Sequence, residues 1–417
     1  MLKQTILEIL VSRFGIPAAW RMMRQTNKKH TNDKIRIVFM CHLPQIWTCL
    51  QSVYEAACQC DEIEPFILTI PEHFEEQNVS KDAYHYMVER GYSVIDAYDE
   101  ETKEFFDLKK LQPDYIFIPR PYDWYLPLQY QSKELSKYSK VCYVEYGYLS
   151  EGKNMVQVCF DRCFSVNCYM IFAENETVEK YIKRLFPITS KLGIRKVIKT
   201  PYPRFDLTRK YDGIHGSGWN RSKEECNKRI IWTPRWTLDP ELGGTSFFDY
   251  KDFLFSYAKK HPEDDFLFRP HPMAFDNFVK VGAMTEEDVQ TFKDECLNAV
   301  NIALDTNKEH LDNFTSADIL ISDLSGVVVD FAVTGKPIIY CNSHYPLNDS
   351  CKELLDAYYV VKNAAELEET LTMLCNGEDK KAVQRKEIVE RVLGKNDGKN
   401  GEQIIHYILD DYNRKGR

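Results

Sequence analysis

Apolar residues in this chain come in short blocks separated by stretches with helical spacing. After a leader, "KIRIVFMC" (34–41) is a continuous apolar block of strand length, "HLPQIWTCLQSVYEAAC" (42–58) reads as a helix, and "IEPFILTIP" (63–71) is a second strand. The rhythm continues with "DAYHYMVERGY" (82–92) as a helix, then "SVIDAY" (93–98), "PDYIFIPR" (113–120), "SKVCYVEYG" (139–147) and "YMIFAEN" (169–175) as extended segments. Strands alternating with helices predict an α/β fold with a parallel sheet, here a Rossmann-like domain over 31–205.

A polar, Gly-containing stretch, "RKYDGIHGSGWNRSKEECNK" (209–228), interrupts the pattern and reads as a linker or surface excursion. The rhythm then restarts. "RIIWTPRW" (229–236), "DFLFRPHP" (265–272), "VNIALD" (300–305) and "ADILISDLSGVVVDFAVTGKPIIYCN" (317–342) carry strands; "YKDFLFSYAKKHP" (250–262) and "MTEEDVQTFKDECLNA" (284–299) are helical. This predicts a second Rossmann-like domain over 206–395, with "GEQIIHYILDDYNR" (401–414) as an amphipathic closing helix within 396–417. Two such domains in tandem are expected to leave a cleft between the carboxyl ends of their sheets, so the informative loops are those just after strands.

Composition narrows the function classes. The chain has 417 residues, 44% of them hydrophobic and 28% charged, which suits two packed domains. Its formal charge of -9 gives no global hold on nucleic acid. The 13 cysteines form no CxxC pair and read as reduced, mostly buried thiols of a cytoplasmic protein. No apolar run is long enough to cross a bilayer. Residues 1–30, however, set Ile6, Ile9, Leu10, Phe14, Trp20, Met22 and Met23 among Lys3, Arg13, Arg21, Arg24, Lys28 and Lys29, with Glu8 the only acid. Two readings fit this basic amphipathic leader: a helix lying on an anionic membrane surface, or a helix docked on its own domain.

The strand-end loops carry the candidate chemistry. In "FLFRPHPMAF" two prolines stiffen a loop that presents Arg269 and His271, a guanidinium and an imidazole suited to a phosphate or diphosphate. In "LISDLSGVVVDFAVTGKP", Ser325 is a natural N-cap, Gly326 lets a phosphate approach the backbone, and Asp323 and Asp330 flank the turn. Asp330 then either takes a ribose hydroxyl or orients the loop, and Lys336 ends the helix. No Asp-x-Asp triplet occurs, which argues against a divalent-metal arrangement; no cofactor is expected, and the charge of a diphosphate would fall to Arg269, His271 and helix amides.

The pairing of "FRPHP" with "ADILISDLSGVVVDFAVTGKPII", and the turn "TPYPRFDL" (200–207), resemble the CDP-glycerol glycerophosphotransferase family, the teichoic-acid polymerases and primases. The resemblance implies a GT-B fold and places Arg269, His271, Asp323, Ser325, Gly326 and Asp330 around the nucleotide diphosphate. It also implies a donor-side role for Arg235, in "PRWT" where the family has Pro-Thr-Trp-Arg. The family's catalytic His-Gly pair reads Tyr146-Gly147 here, which leaves Glu145, Tyr146 or His42 as substitutes. Adjacent residues of a strand face opposite ways, so only one of Glu145 and Tyr146 is expected to face the cleft. The function implied is transfer of a polyol phosphate from a CDP-activated donor to a hydroxyl of a lipid-linked glycan or wall or capsule polymer, with CMP leaving, by an enzyme peripheral to the inner face of the membrane. A GT-B glycosyltransferase using a nucleotide sugar, and a non-catalytic partner in surface-polymer assembly, are the alternatives.

Overall fold

Both halves repeat one strand order. A computed structural model describes residues 15–27, 32–72, 79–152, 156–157, 160–307, 309–341 and 346–413. Within it, the described residues of Met1–Leu149, Lys153–Asp206 and Asp397–Arg417 form one unit, and those of Ser150–Gly152 and Leu207–Asn396 form a second.

The first unit is built on β1 (Ile35–Cys41), β2 (Ile63–Thr69), β3 (Val94–Asp96), β4 (Tyr115–Ile118), β5 (Lys140–Val144), β6 (Met170–Ala173) and β7 (Lys196–Lys199), in the order β3-β2-β1-β4-β5-β6-β7. Every pairing is parallel. Helices cover both faces, so central strands such as β4 and β5 are buried at every position, which is why they read as unbroken apolar blocks. Val38, Met40, Ile116, Ile118, Tyr143 and Ile171 form the middle of its core.

The second unit contains β8 (Arg229–Thr233), β9 (Asp265–Phe268), β10 (Ile302–Leu304), β11 (Ile319–Ser322), β12 (Ile338–Cys341) and β13 (Tyr359–Val361), in the order β10-β9-β8-β11-β12-β13. Its core is aromatic: Trp232 stacks on Phe247 at 5.6 Å, and Phe268, Phe278 and Phe292 close around them. The strands β7 and β13 escape the pattern reading because "KVIK" is half polar and "YVV" is too short to show a period.

Two segments are placed by contacts far along the chain. The stretch 209–228 is no free linker. Gly218 N–H donates to Asn313 Oδ1 at 2.9 Å, Trp219 Nε1 to Ser316 Oγ at 2.9 Å and Asn220 Nδ2 to the Ile302 carbonyl at 2.9 Å, strapping it across the second unit. The closing helix, Asn400–Asn413, belongs to the first unit and packs on the helix Thr48–Cys58. Gly401 makes that approach possible, since a Cβ there would lie 2.4 Å from the Ser52 carbonyl oxygen. Asp206, from the "PRFD" turn, caps this helix by accepting from Asn400 N–H at 3.1 Å and Gly401 N–H at 2.8 Å. At its other end Asp411 takes bonds from the hydroxyls of Tyr115 and Tyr169, both at 2.7 Å, and from the ammoniums of Lys140 and Lys196. Burial alone would raise its pKa; the two lysines outweigh that and hold the acid ionised well below the usual range.

Of the leader, residues 1–14 and 28–30 lie outside the described residues. The part that is described is a helix, Ile16–Asn27, and it docks on the first unit. Ala18 and Met22 are buried, and Arg21 donates to Ser136 Oγ at 2.8 Å and Asn167 Oδ1 at 2.6 Å. Met22 is therefore core, not part of a membrane-facing stripe.

Candidate active site

Each sheet reverses its strand order once, between β1 and β4 in the first unit and between β8 and β11 in the second. Loops leaving neighbouring strands diverge there, opening a crevice in which ligands of parallel sheets bind.

In the second unit the crevice is pinned by polar groups. Thr233, ending β8, donates through Oγ1 to Ser322 Oγ, ending β11, at 2.8 Å. The next residue, Asp323, accepts Arg235 N–H at 2.9 Å and Ser246 N–H at 3.0 Å on one oxygen, and the Ser246 hydroxyl on the other. Burial raises the Asp323 pKa and these donors pull it back. Its carboxylate is thus spent on holding two loops. Ser246 precedes the helix Phe247–Lys260 as an N-cap residue, but its hydroxyl goes to Asp323 and makes no cap bond.

Arg235 sits where these loops meet. Its Nη1 donates to the Leu324 carbonyl, while its buried Nε has no partner among the described residues. Gly243, at φ +102°, lies over the guanidinium; a Cβ there would be 3.1 Å from Nε and 3.2 Å from Leu324 Cδ2. Only glycine satisfies both the left-handed backbone and the close approach. Glu151 is within electrostatic reach of Arg235 and 8% exposed, with Oε2 buried and unpartnered among the described residues. Burial raises its pKa, against the pull of backbone amides and the Arg235 charge.

His271 is exposed on one side and walled by protein on the other. Desolvation by that wall, and the positive charges of Arg235 and Arg269, push its pKa down to about 4. Its Nδ1 accepts Met273 N–H at 3.2 Å, which assigns the proton of the neutral ring to Nε2. Near neutral pH His271 offers a hydrogen bond, not a positive charge.

Arg269 does not share that freedom. Nη1 donates to Asp305 Oδ2 at 2.6 Å and to the Glu309 carbonyl at 3.2 Å, and Nη2 to the Asn307 carbonyl at 2.9 Å. Its guanidinium orders the loop after β10. That loop ends at His310, whose Nε2 lies 3.6 Å from Asp330 Oδ2. Asp330 is fully enclosed, the setting in which an acid orients a loop.

Ser325 differs from expectation as well. The helix Val327–Ala332 is capped at Gly326, which has helical φ -59° and ψ -25°, and no side chain caps it. Ser325 and Gly326 are both half-buried at the mouth of the turn. Lys336 caps a different helix from the one it follows: Nζ donates to the Thr315 and Ala317 carbonyls at the end of Leu311–Ser316.

In the first unit, His42 follows β1 and Arg120 follows β4, with Arg120 Nη1 3.5 Å from His42 Nε2. Burial and the Arg120 charge push the His42 pKa down to about 3, so the ring is neutral. Glu145 is 2% exposed, bonded by the Tyr143 hydroxyl and by Tyr146 N–H at 3.0 Å; burial and the nearby Glu174 carboxylate raise its pKa to about 8. Tyr146, half-buried, is the one of the pair the loop presents, and Arg204 Nη2 holds its carbonyl at 2.6 Å. The second-unit cluster therefore unites Arg235 and His271 with Glu151 and Ser246. The latter two carried no signal in the sequence beyond the Ser before an apolar run.

Residues 152–410 match the family model described as CDP-glycerol:poly(glycerophosphate) glycerophosphotransferase. The chain belongs to this family. The match takes in Arg235, Arg269, His271, Asp323, Ser325, Gly326 and Asp330 and begins after Tyr146-Gly147, so the residues expected on the donor side lie inside it and His42 and Glu145 outside. The family description names CDP-glycerol as donor and a poly(glycerophosphate) as acceptor. Among solved structures, the wall teichoic acid polymerase TagF is similar with a TM-score of 0.56 at 13% identity, covering 99% of this chain and 98% of that one. The UDP-GlcNAc 2-epimerase from Neisseria meningitidis bound to UDP-GlcNAc is similar with a TM-score of 0.57 at 11% identity, over 90% of this chain and 100% of that one. MnaA from S. aureus with UDP gives 0.59 at 12% identity, over 91% and 97%. These likenesses carry the GT-B fold. No curated protein sequence matches the chain. No helix among the described residues is long and apolar enough to cross a membrane.

Proposed function

We propose that the transferase moves glycerol phosphate, or a similar polyol phosphate, from a CDP-activated donor to a hydroxyl of a lipid-linked glycan or of a wall or capsule polymer, with CMP leaving. The observation that carries this is Arg235, on the loop leaving β8 at the switch point of the second unit, within electrostatic reach of neutral His271 on the loop leaving the adjacent β9, both inside the family match. Phosphoryl transfer asks little covalent chemistry of a protein; it asks for positioning and for charge stabilisation on the leaving group. Arg235 has a donor unused among the described residues in a dry setting, where its charge is worth most, and the neutral His271 ring keeps its proton on Nε2. Ser325 and Gly326 lie at the adjoining turn and supply backbone amides, while Asp323, Arg269 and Asp330 hold the loops in register.

The location follows as part of the same reading: cytoplasmic, peripheral to the inner face of the membrane. It is supported by the outer side of the helix Ile16–Asn27, where Ile16, Trp20 and Met23 are 53%, 60% and 40% exposed and Arg24 lies 5.5 Å from the Trp20 ring. An apolar stripe beside a cation suits an anionic leaflet.

The deciding experiment measures CMP release from CDP-glycerol and other CDP-polyols with a lipid-linked acceptor, beside UDP- and GDP-sugars. Release from a CDP-polyol alone is the expected result. Turnover of a UDP- or GDP-sugar in its place moves the chain to sugar transfer, and no turnover of any donor makes it a binding partner.

A further inference from the structure

The first unit has a switch point of its own, and the loop leaving β4 there is unusual. Residues 120–128 read "RPYDWYLPL", with Trp124 62% and Tyr125 47% exposed. Their rings lie 5.8 Å apart at 39°, and Tyr122 joins them at 4.9 Å from Trp124. Arg120 lies over this group, 4.1 Å from the Tyr125 ring centroid. It also approaches His42, and it has no carboxylate partner among the described residues.

This is not a loose loop that happens to carry aromatics. Asp123 accepts the N–H of Ser132 at 2.8 Å and its hydroxyl at 2.6 Å, and Ser132 is fully buried. Gln131 Nε2 donates to the Leu126 carbonyl at 3.2 Å, and Tyr130 anchors the far end in the core through the Phe106 carbonyl at 2.7 Å. Exposed rings on a pinned loop are preorganised for a ligand, because little side-chain or backbone freedom is left to lose on binding.

The chemistry selects among ligands. A pyranose has an apolar face of C–H groups that the electron-rich face of an aromatic ring attracts, and a rim of hydroxyls that needs donors and acceptors. Trp124 and Tyr125 supply the faces and Arg120 the donors. A polyol-phosphate chain has no flat face to stack. A lipid chain would leave the Arg120 donors unused, and aliphatic exposure on this loop is confined to Leu128. We infer that the loop Arg120–Tyr125 is the platform for a sugar ring of the acceptor, so that the acceptor is a saccharide and not a bare polyol-phosphate chain. The inference rests on the transferase reading for its meaning as an acceptor site.

Saturation-transfer NMR with N,N′-diacetylchitobiose, and with sn-glycerol 3-phosphate as the comparison, tests it on the full chain. The disaccharide should receive saturation from the wild type, and its affinity should fall about tenfold in Trp124→Ala and in Tyr125→Ala, as expected for losing one stacking face. Leu128→Ala, on the same loop but off the platform, should bind the disaccharide as the wild type does. Wild-type binding by both aromatic variants overturns the inference, as does an equal loss in Leu128→Ala. Loss of binding to anionic vesicles in the aromatic variants, with no effect on the disaccharide, assigns the loop to the membrane and overturns it too. CMP release from CDP-glycerol by the wild type is read separately. Its absence, with the disaccharide still bound through Trp124, defeats the transferase reading and leaves a saccharide site standing.

Discussion

Replacing Glu145 by Gln should make the protein more stable at pH 8 than the wild type, and the gain should vanish in acid. Glu145 is enclosed at the end of β5. Its oxygens face the Tyr143 hydroxyl and Tyr146 N–H, and Glu174 is the neighbouring acid. Burial, with that like charge, lifts its pKa from 4.5 to about 8. A folded-state pKa above the unfolded one means the folded protein holds a proton the unfolded chain gives up. The stabilising contribution is therefore complete below about pH 4.5, falls away as pH rises, and is exhausted near pH 8. At ~1.36 kcal/mol for each tenfold step in proton affinity, the wild type loses about 3 kcal/mol between pH 5 and pH 8 through this group. A glutamine copies the protonated acid, with its oxygen for Tyr146 N–H and its amide N–H for the Tyr143 oxygen, and has nothing to titrate. Urea unfolding of both proteins across that range reads the difference directly, since every other titrating group is common to the two. A stability difference that shifts by less than about 1 kcal/mol across the range would refute the reasoning. The same variant bears on catalysis: an acid this enclosed is expected to be dispensable for CMP release, whereas a loss of about 100-fold or more would make Glu145 a proton acceptor after all.

His271→Ala should lower CMP release roughly 100-fold, the usual loss for one preorganised donor, with no change in melting temperature; unaltered turnover moves the diphosphate elsewhere. Arg269→Ala should instead destabilise the second unit by about 2–3 kcal/mol, because it leaves the buried Asp305 carboxylate without its counter-charge and with only Asn307 N–H and Asn313 Nδ2 as donors among the described residues, and calorimetric melting measures this. If activity fell and stability did not, Arg269 would have to leave Asp305 for a ligand. Gly243→Ala combines a left-handed φ with a Cβ 3.1 Å from Arg235 Nε, so it should cost about 1–2 kcal/mol and weaken CDP binding in a titration. Unchanged CDP affinity would show that Arg235 is not a nucleotide ligand.

How far the site was legible depended on the range of the interaction involved. The loop after β9 was readable as a stiff presentation of Arg269 and His271, since prolines act on their own neighbours. Which of the two is available for a ligand was not readable. Asp305, which engages Arg269, lies 36 residues away along the chain. Asp323 likewise stood out as a polar residue after an apolar strand, yet its hydroxyl partner is Ser246, 77 residues earlier. Ser325 had the chemistry of an N-cap, but the turn begins its helix at Gly326 without using it.

Local pattern in the chain was enough for the alternation of strand and helix, the parallel sheets that follow from it, and the strand-end loops that carry the family's motifs. These rest on periods of a few residues and on the burial of both sheet faces, which leave their mark locally. The tertiary structure alone decided which motif residues face outward and which are spent inside. It also assigned the closing helix to the first unit, through an Asp206 cap spanning 194 residues. A buried charge or hydrogen-bonding group must be satisfied by whatever partner the fold brings to it, and the identity of that partner is set by packing and has no local period in the chain.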